Sequence, residues 1–183
     1  MALTAGNVRV AGTGAIFKAP AGTAIPTDHT TALNAAFKEL GYYTEDGFTL
    51  SADRSTSDIK GHNGDVVRTV TTEHKVTVEF TLMEWNLEAA KAMFGSSQVA
   101  VATGTTIQVT SAAGDRGRLV LEAVDSGASG TPKIRVVLPD AQILTDTQEI
   151  TFSNSESINF PIQVQAYPDG SGVKAYLYTT AIT

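Results

Sequence analysis

Three histidines, at positions 29, 62 and 74, are the side chains best suited by type to proton transfer near neutral pH. A hydrolytic triad would set one of them beside a serine and a carboxylate. His62 lies in a polar stretch and His74 alternates with its neighbours along an extended run, so each is read as an ordinary polar residue. The chain has no cysteine, which removes disulfides, thiolate nucleophiles and thiolate metal sites. It has no His-Glu-x-x-His, no phosphate-binding glycine loop ending in Lys-Ser/Thr, and no Gly-x-Gly-x-x-Gly; Gly12-Thr13-Gly14 is too short to count. Asp169-Gly170-Ser171-Gly172 lacks the spaced carboxylates of a calcium loop and reads as a turn. Tyr42, Tyr43, Tyr167, Tyr176 and Tyr178 are of a type that builds sugar-stacking platforms, but strand and core packing is the preferred reading. No catalytic, metal or cofactor site is therefore expected, and the chain is expected not to be an enzyme.

The formal charge of −6 argues against a basic footprint for nucleic acid. It is unevenly spread: residues 140–170 carry Asp140, Asp146, Glu149, Glu156 and Asp169 and no Lys or Arg. That segment is either a solvated face or a surface that must not adhere to a polyanion.

The positioning elements come next. At 183 residues, 42% hydrophobic and 17% charged, the chain suits a single domain, 1–183, with an ordinary core. No apolar run approaches the ~20 residues of a membrane helix. The N-terminus carries Arg9 and no sustained apolar stretch, so neither membrane insertion nor a secretory leader is expected. Residues 1–35 read as an N-terminal arm with a short strand at Ala15–Lys18, and Thr31–Leu40 as a turn of helix or a lead into a strand. Residues 44–68 read as a long loop of mixed charge anchored by Phe48, Leu50 and Ile59.

Val66–Leu82 is the clearest strand: Val76, Val78, Phe80 and Leu82 alternate with Glu73, Lys75, Thr77, Glu79 and Thr81. It is long for an ordinary sandwich strand. Asn86 then caps a short helix, with Leu87, Ala90 and Phe94 as the stripe packing on the sheet, and Gly95 ends it. Strands are expected at 106–110, 118–124, 133–138 and 173–179, with weaker ones at 142–144 and 149–153 and a turn at 125–132. Residues 157–167 alternate again, Ile158, Phe160, Ile162, Val164 and Ala166 against Ser157, Asn159, Gln163 and Gln165. Pro161 within that run requires an edge or a bulge.

Three stretches carry a family resemblance: GYYTEDGFTLS at 41–51, DIKGHNGDVVRTVTTE at 58–73, and KVTVEFTLMEWN at 75–86 with its helix and Phe94-Gly95. NFPIQVQAYPDGSG at 159–172 is a fourth. In order and spacing they resemble siphophage tail tube proteins (major tail proteins), particularly those of phages infecting actinobacteria. The resemblance implies a mainly β fold, a tail-tube-type β-sandwich with one short flanking α-helix. In that family subunits form hexameric rings that stack into the conduit for DNA ejection, and inner-sheet strands join into one ring-wide barrel. The implied partners are further copies of the chain, the tape measure protein, and the tail terminator and tail tip proteins, with DNA passing through without specific binding. The implied location is the virion, after assembly in the host cytoplasm. The chain ends at Thr183, soon after the last expected strand, so no C-terminal immunoglobulin-like domain is expected.

On this reading Glu73, Lys75, Thr77, Glu79, Thr81, Asn159, Gln163 and Gln165 face the lumen, with Lys75 balanced by Glu73 or Glu79. The loop at 44–68 is the inter-ring arm, using Glu45, Asp46, Phe48, Leu50, Arg54, Ile59, Lys60 and Arg68. Two rival readings are a stand-alone adhesin- or lectin-like β-sandwich and another virion part, such as a decoration or baseplate protein.

Overall fold

A computed structural model describes residues 8–125, 133–144, 149–155 and 157–180. Its elements are β1 (Thr13–Pro20), β2 (Lys38–Glu39), β3 (Tyr43–Lys60), β4 (Val66–Leu82), α1 (Leu87–Phe94), β5 (Val99–Val101), β6 (Thr105–Ile107), β7 (Arg116–Val124), β8 (Lys133–Leu144), β9 (Phe160–Ala166) and β10 (Tyr176–Thr179). The fold is mainly β with one short α-helix, as expected. Eight strands form one antiparallel sheet in the order β2-β1-β7-β8-β9-β4-β3, with β10 also on β8; β5 and β6 form a separate pair.

β8 lets this sheet close over a core. One edge pairs with β7 along its length. The other edge pairs with β10 over residues 134–137 and with β9 over 141–144, so the sheet divides into two leaves. At the division the register jumps from Leu119↔Leu138 to Gly117↔Ala141, so Pro139 and Asp140 oppose Arg118 alone. A bulge of this kind bends the strand and is one of the few places where proline fits inside a sheet. It also switches the side-chain parity: Val136 and Leu138 face the core before it, Ala141 and Ile143 after it. The sequence expectation of separate strands at 133–138 and 142–144 is thus corrected to one bent strand.

Between the leaves lies the main core, built from the alternating faces of β4 (Val76, Val78, Phe80, Leu82) and β9 (Phe160, Ile162, Val164, Ala166) with Ile16, Leu119, Leu121 and others. Phe160 is fully buried, and burial of a side chain this size contributes roughly 1.5–3 kcal/mol. Helix α1 closes the core. Asn86 accepts a hydrogen bond from the Ala89 N–H at 2.7 Å and donates to the Leu40 carbonyl at 3.1 Å. Gly95, at φ 94°, ends the helix in a conformation glycine takes without steric cost. The buried face is Ala89, Ala90, Ala92 and Met93. Of the expected Leu87/Ala90/Phe94 stripe, Ala90 is buried and Phe94, half-buried, packs on the core, whereas Leu87 is exposed.

The N-terminal third is less of an arm than expected. β1 lies inside the sheet beside β7 over eight residue pairs. At Gly14 a Cβ would lie 2.1 Å from the Glu122 carbonyl oxygen, so only glycine permits that approach. The segment after β1 folds over the outer face of β7, β8 and β10, where Phe37, Ile25 and Leu33 pack with Val120, Val137, Tyr176 and Tyr178. Arg135, 2% exposed, fastens it. Its guanidinium donates to Glu122 at 2.8 Å and to the carbonyls of Asp28 at 2.8 Å and Thr31 at 2.9 Å. Residues 149–153 are not a strand, and most of the expected turn at 125–132 lies outside the described residues.

Candidate assembly surfaces

The long loop expected at 44–68 is a strand and a turn. β3 pairs antiparallel with β4 from Tyr43↔Leu82 to Lys60↔Val66, making one long hairpin with register shifts after Tyr43, Ser55 and Ile59. Residues 52–60 are exposed on both faces, which is why the sequence shows no apolar period there. The overlooked signal was Asn63-Gly64, a favoured hairpin dipeptide. Gly64 has φ 87°, and the turn is closed by Gly61 N–H donating to the Asp65 carbonyl at 2.8 Å.

β9 flanks β4 only from Val76 to Leu82. Beyond Asp53↔Lys75, the hairpin therefore runs on as a two-stranded ribbon with no third strand among the described residues. Of the expected arm residues, Arg54, Ile59, Lys60 and Arg68 lie on this ribbon and are exposed. Phe48 and Leu50 do not. They pair with Phe80 and Val78 and pack on the main core, so they anchor the hairpin within its own subunit. Glu45 and Asp46 are exposed at the irregular base of β3.

The second surface is polar. The register sets Thr49, Glu79 and Gln163 side by side across β3, β4 and β9, and likewise Ser51, Thr77 and Gln165. β8 continues the rows with Gln142 opposite Gln165 and Leu144 opposite Gln163. Glu79 accepts a hydrogen bond from Gln163. Six of the eight residues expected on one polar face (Lys75, Thr77, Glu79, Thr81, Gln163, Gln165) thus come together, opposite the core-facing set that α1 covers, although Thr77, 6% exposed, is itself buried there. Glu73 lies farther out, opposite Ser55 on the ribbon. Asn159 precedes β9, where its side chain accepts from the Ser157 hydroxyl at 2.9 Å. Lys75 stands in register with Asp53 across the hairpin. Thr49, Ser51 and Gln142 join this face without a signal of their own in the sequence, because β3 has no sustained apolar period and the bend in β8 interrupts the alternation before Gln142. Pro161 sits opposite Thr81, two residues before the first β8 pair at Gln163, so on the β8 side it meets no strand among the described residues. That is the edge position it requires.

The acidic stretch is partly consumed by the fold. Asp140 forms an ion pair with Arg116 at 2.5 Å, and that hydrogen bond holds its carboxyl below the usual range. Arg116 in turn stacks over the Tyr167 ring at 4.6 Å. Asp169 accepts from the Tyr176 hydroxyl at 2.6 Å and from the N–H groups of Ser171 and Val173, which lower its pKa and set the 168–172 turn. Glu149 is exposed, and Asp146 and Glu156 lie outside the described residues. Asp115 is a structural hub: burial acts to raise its pKa, but bonds from Ser96 and Lys18 outweigh it and leave the carboxyl lowered. The tyrosines are dispersed: Tyr42 exposed, Tyr43 against the core, Tyr167 under Arg116, and Tyr176 and Tyr178 stacked 6.0 Å apart. No group of three or more His, Asp or Glu among the described residues is placed to hold a metal ion.

A family model described as phage tail tube protein matches residues 1–180. No curated protein shows significant similarity to the chain.

Proposed function

The chain belongs to the phage tail tube protein family, structural virion components that assemble with copies of themselves into a tube, and on that premise we propose how its surfaces are used. Subunits close into hexameric rings, the rings stack, and the stack is the conduit through which DNA leaves the virion. The observation that carries this reading is the β3–β4 ribbon: its outer half has both faces exposed and no third strand, an arrangement that calls for a partner outside the subunit. The ribbon is the inter-ring arm. The polar face of β3, β4, β9 and β8 lines the lumen, where neutral amides and hydroxyls with few unpaired cations give phosphates little to hold. Ring closure joins those strands into a common barrel and removes their free edges. The tape measure, terminator and tip proteins are the partners at the lumen and the tube ends. A stand-alone binding module is disfavoured by the family match over residues 1–180 and by the dispersed tyrosines.

The test is to replace residues 57–70 with Asn-Gly, which closes the Thr56↔Thr71 pair with a two-residue turn and leaves the core untouched. Electron micrographs of the purified native protein are expected to show tubes. The shortened protein is expected to keep its melting temperature and to form no stacks. Tubes of normal length from the shortened protein would refute the arm. For the lumen, Gln163→Cys in assembled tubes is expected to resist a bulky maleimide that labels it in free subunits; equal labelling of both would refute the luminal assignment.

A further inference from the structure

Two exposed apolar features stand at opposite ends of the hairpin. At the tip, Ile59, Val66 and Val67 are 53%, 52% and 72% exposed. At the base is a groove of about 770 Å³ beside the end of α1, bounded by Trp85, Phe94, Ile107, Val109, Ile150 and Phe152, with no Asp, Glu, Lys or Arg in its lining. Trp85 is 53% exposed there, with its ring 4.9 Å from Phe160 and 6.5 Å from Phe152; Phe152 and Val109 are 72% and 80% exposed. Neither feature is covered by the described residues of its own subunit.

Their separation decides what each can meet. Val66 and Leu82 are the ends of one strand, and Trp85 follows Leu82 by three residues. At the usual rise per residue the tip lies ~50 Å from the groove, so a subunit cannot fill its own groove with its own tip. In a chain that assembles with itself, an apolar projection at one end and an uncharged apolar groove at the other form a head-to-tail contact, and such a contact repeats along an axis. Exposed Arg68 and Lys60 stand in register with Ile59 and Val66, so charge is interleaved with the apolar side chains of the tip, and Val67, at the register shift, is the most exposed of the three.

We propose that the Trp85–Phe152 groove receives the Ile59/Val66/Val67 tip of a second copy, and is thus the axial acceptor for the ribbon. This rests on the stacked-ring reading and adds the receiving site to it. The absence of native cysteine makes disulfide trapping direct. Val67→Cys and Phe152→Cys are made separately, mixed, assembled and oxidised, with Ile59→Cys and Val109→Cys as a second pair in case one site is disturbed. Each mixture is expected to give a dimer on non-reducing gels, and the protein carrying both cysteines a ladder of multimers; each single variant alone is expected to stay monomeric. Tubes that form but give no cross-link with either pair overturn the proposal and leave stacking intact. So do dimers of Phe152→Cys alone, which would mean groove meets groove, and cross-links to a cysteine placed at Leu3 in preference to Val67, which would give the groove to the N-terminal residues. Failure of the native protein to form tubes at all would count against the stacked-ring reading, and the proposal would fall with it.

Discussion

Arg135→Ala tests whether the covering layer is held by a buried charge. The guanidinium is 2% exposed and makes four contacts: two with Glu122, at 2.8 and 2.6 Å, and one each with the carbonyls of Asp28 and Thr31. Removing one member of a buried pair usually costs about 3–5 kcal/mol, because the other charge stays behind. Here Glu122 keeps Lys133 at 2.5 Å, and Thr31 is exposed so water can replace the lost donor, which places the loss near ~3 kcal/mol. For a domain of this size that lowers the melting temperature by roughly 6–12 °C. The assay is thermal unfolding followed by circular dichroism at neutral pH, with Arg135→Met/Glu122→Met alongside. The double variant is expected to recover part of the loss, since it leaves no buried carboxylate behind and Lys133, 27% exposed, can turn to solvent. A drop of under ~2 °C for Arg135→Ala, or a double variant less stable than the single one, would refute the reasoning about the pair.

Three further outcomes follow from the same geometry. Asn86→Ala removes both the helix cap and the bond to Leu40, and is expected to cost about 1–2 kcal/mol, seen as a lower urea midpoint with unchanged slope. Gly14→Val drives a side chain into the backbone of β7, and is expected to give insoluble protein or a fold without the β1–β7 pairing, checked by amide exchange across 13–20. Asp115, Asp140 and Asp169 have carboxyls lowered from 3.8 in the folded chain, so the stability they contribute is present above that value and is lost as pH falls through their folded values. Unfolding free energy is expected to decline below about pH 4, and Asp115→Asn to flatten that decline; an unchanged acid limb would refute the role of Asp115.

Where one face is buried and the other wet, alternation is imposed on the residues themselves. That is why β4, β9 and the capped helix were legible in the chain, together with the polar rows of β4 and β9 and the family resemblance. Side chains and a cap write these features locally, within a few residues. β3 was not legible, because its outer half has no buried face and its strand form comes from pairing with β4 across the hairpin. In α1 the local spacing picked out Ala90 and Phe94, but the burial of Ala89, Ala92 and Met93 in place of Leu87 was set by where the rest of the core meets the helix. The division of the sheet at Pro139 and Asp140 needed three partners of β8 to be placed before the parity change had any meaning. The same holds for Arg135, an unremarkable strand residue in the sequence, whose partners lie at Glu122, Asp28 and Thr31, and for the ~50 Å between ribbon tip and groove. Local pattern records the solvent each face meets. Long-range pairing decides which faces meet each other, and therefore which are left for another subunit.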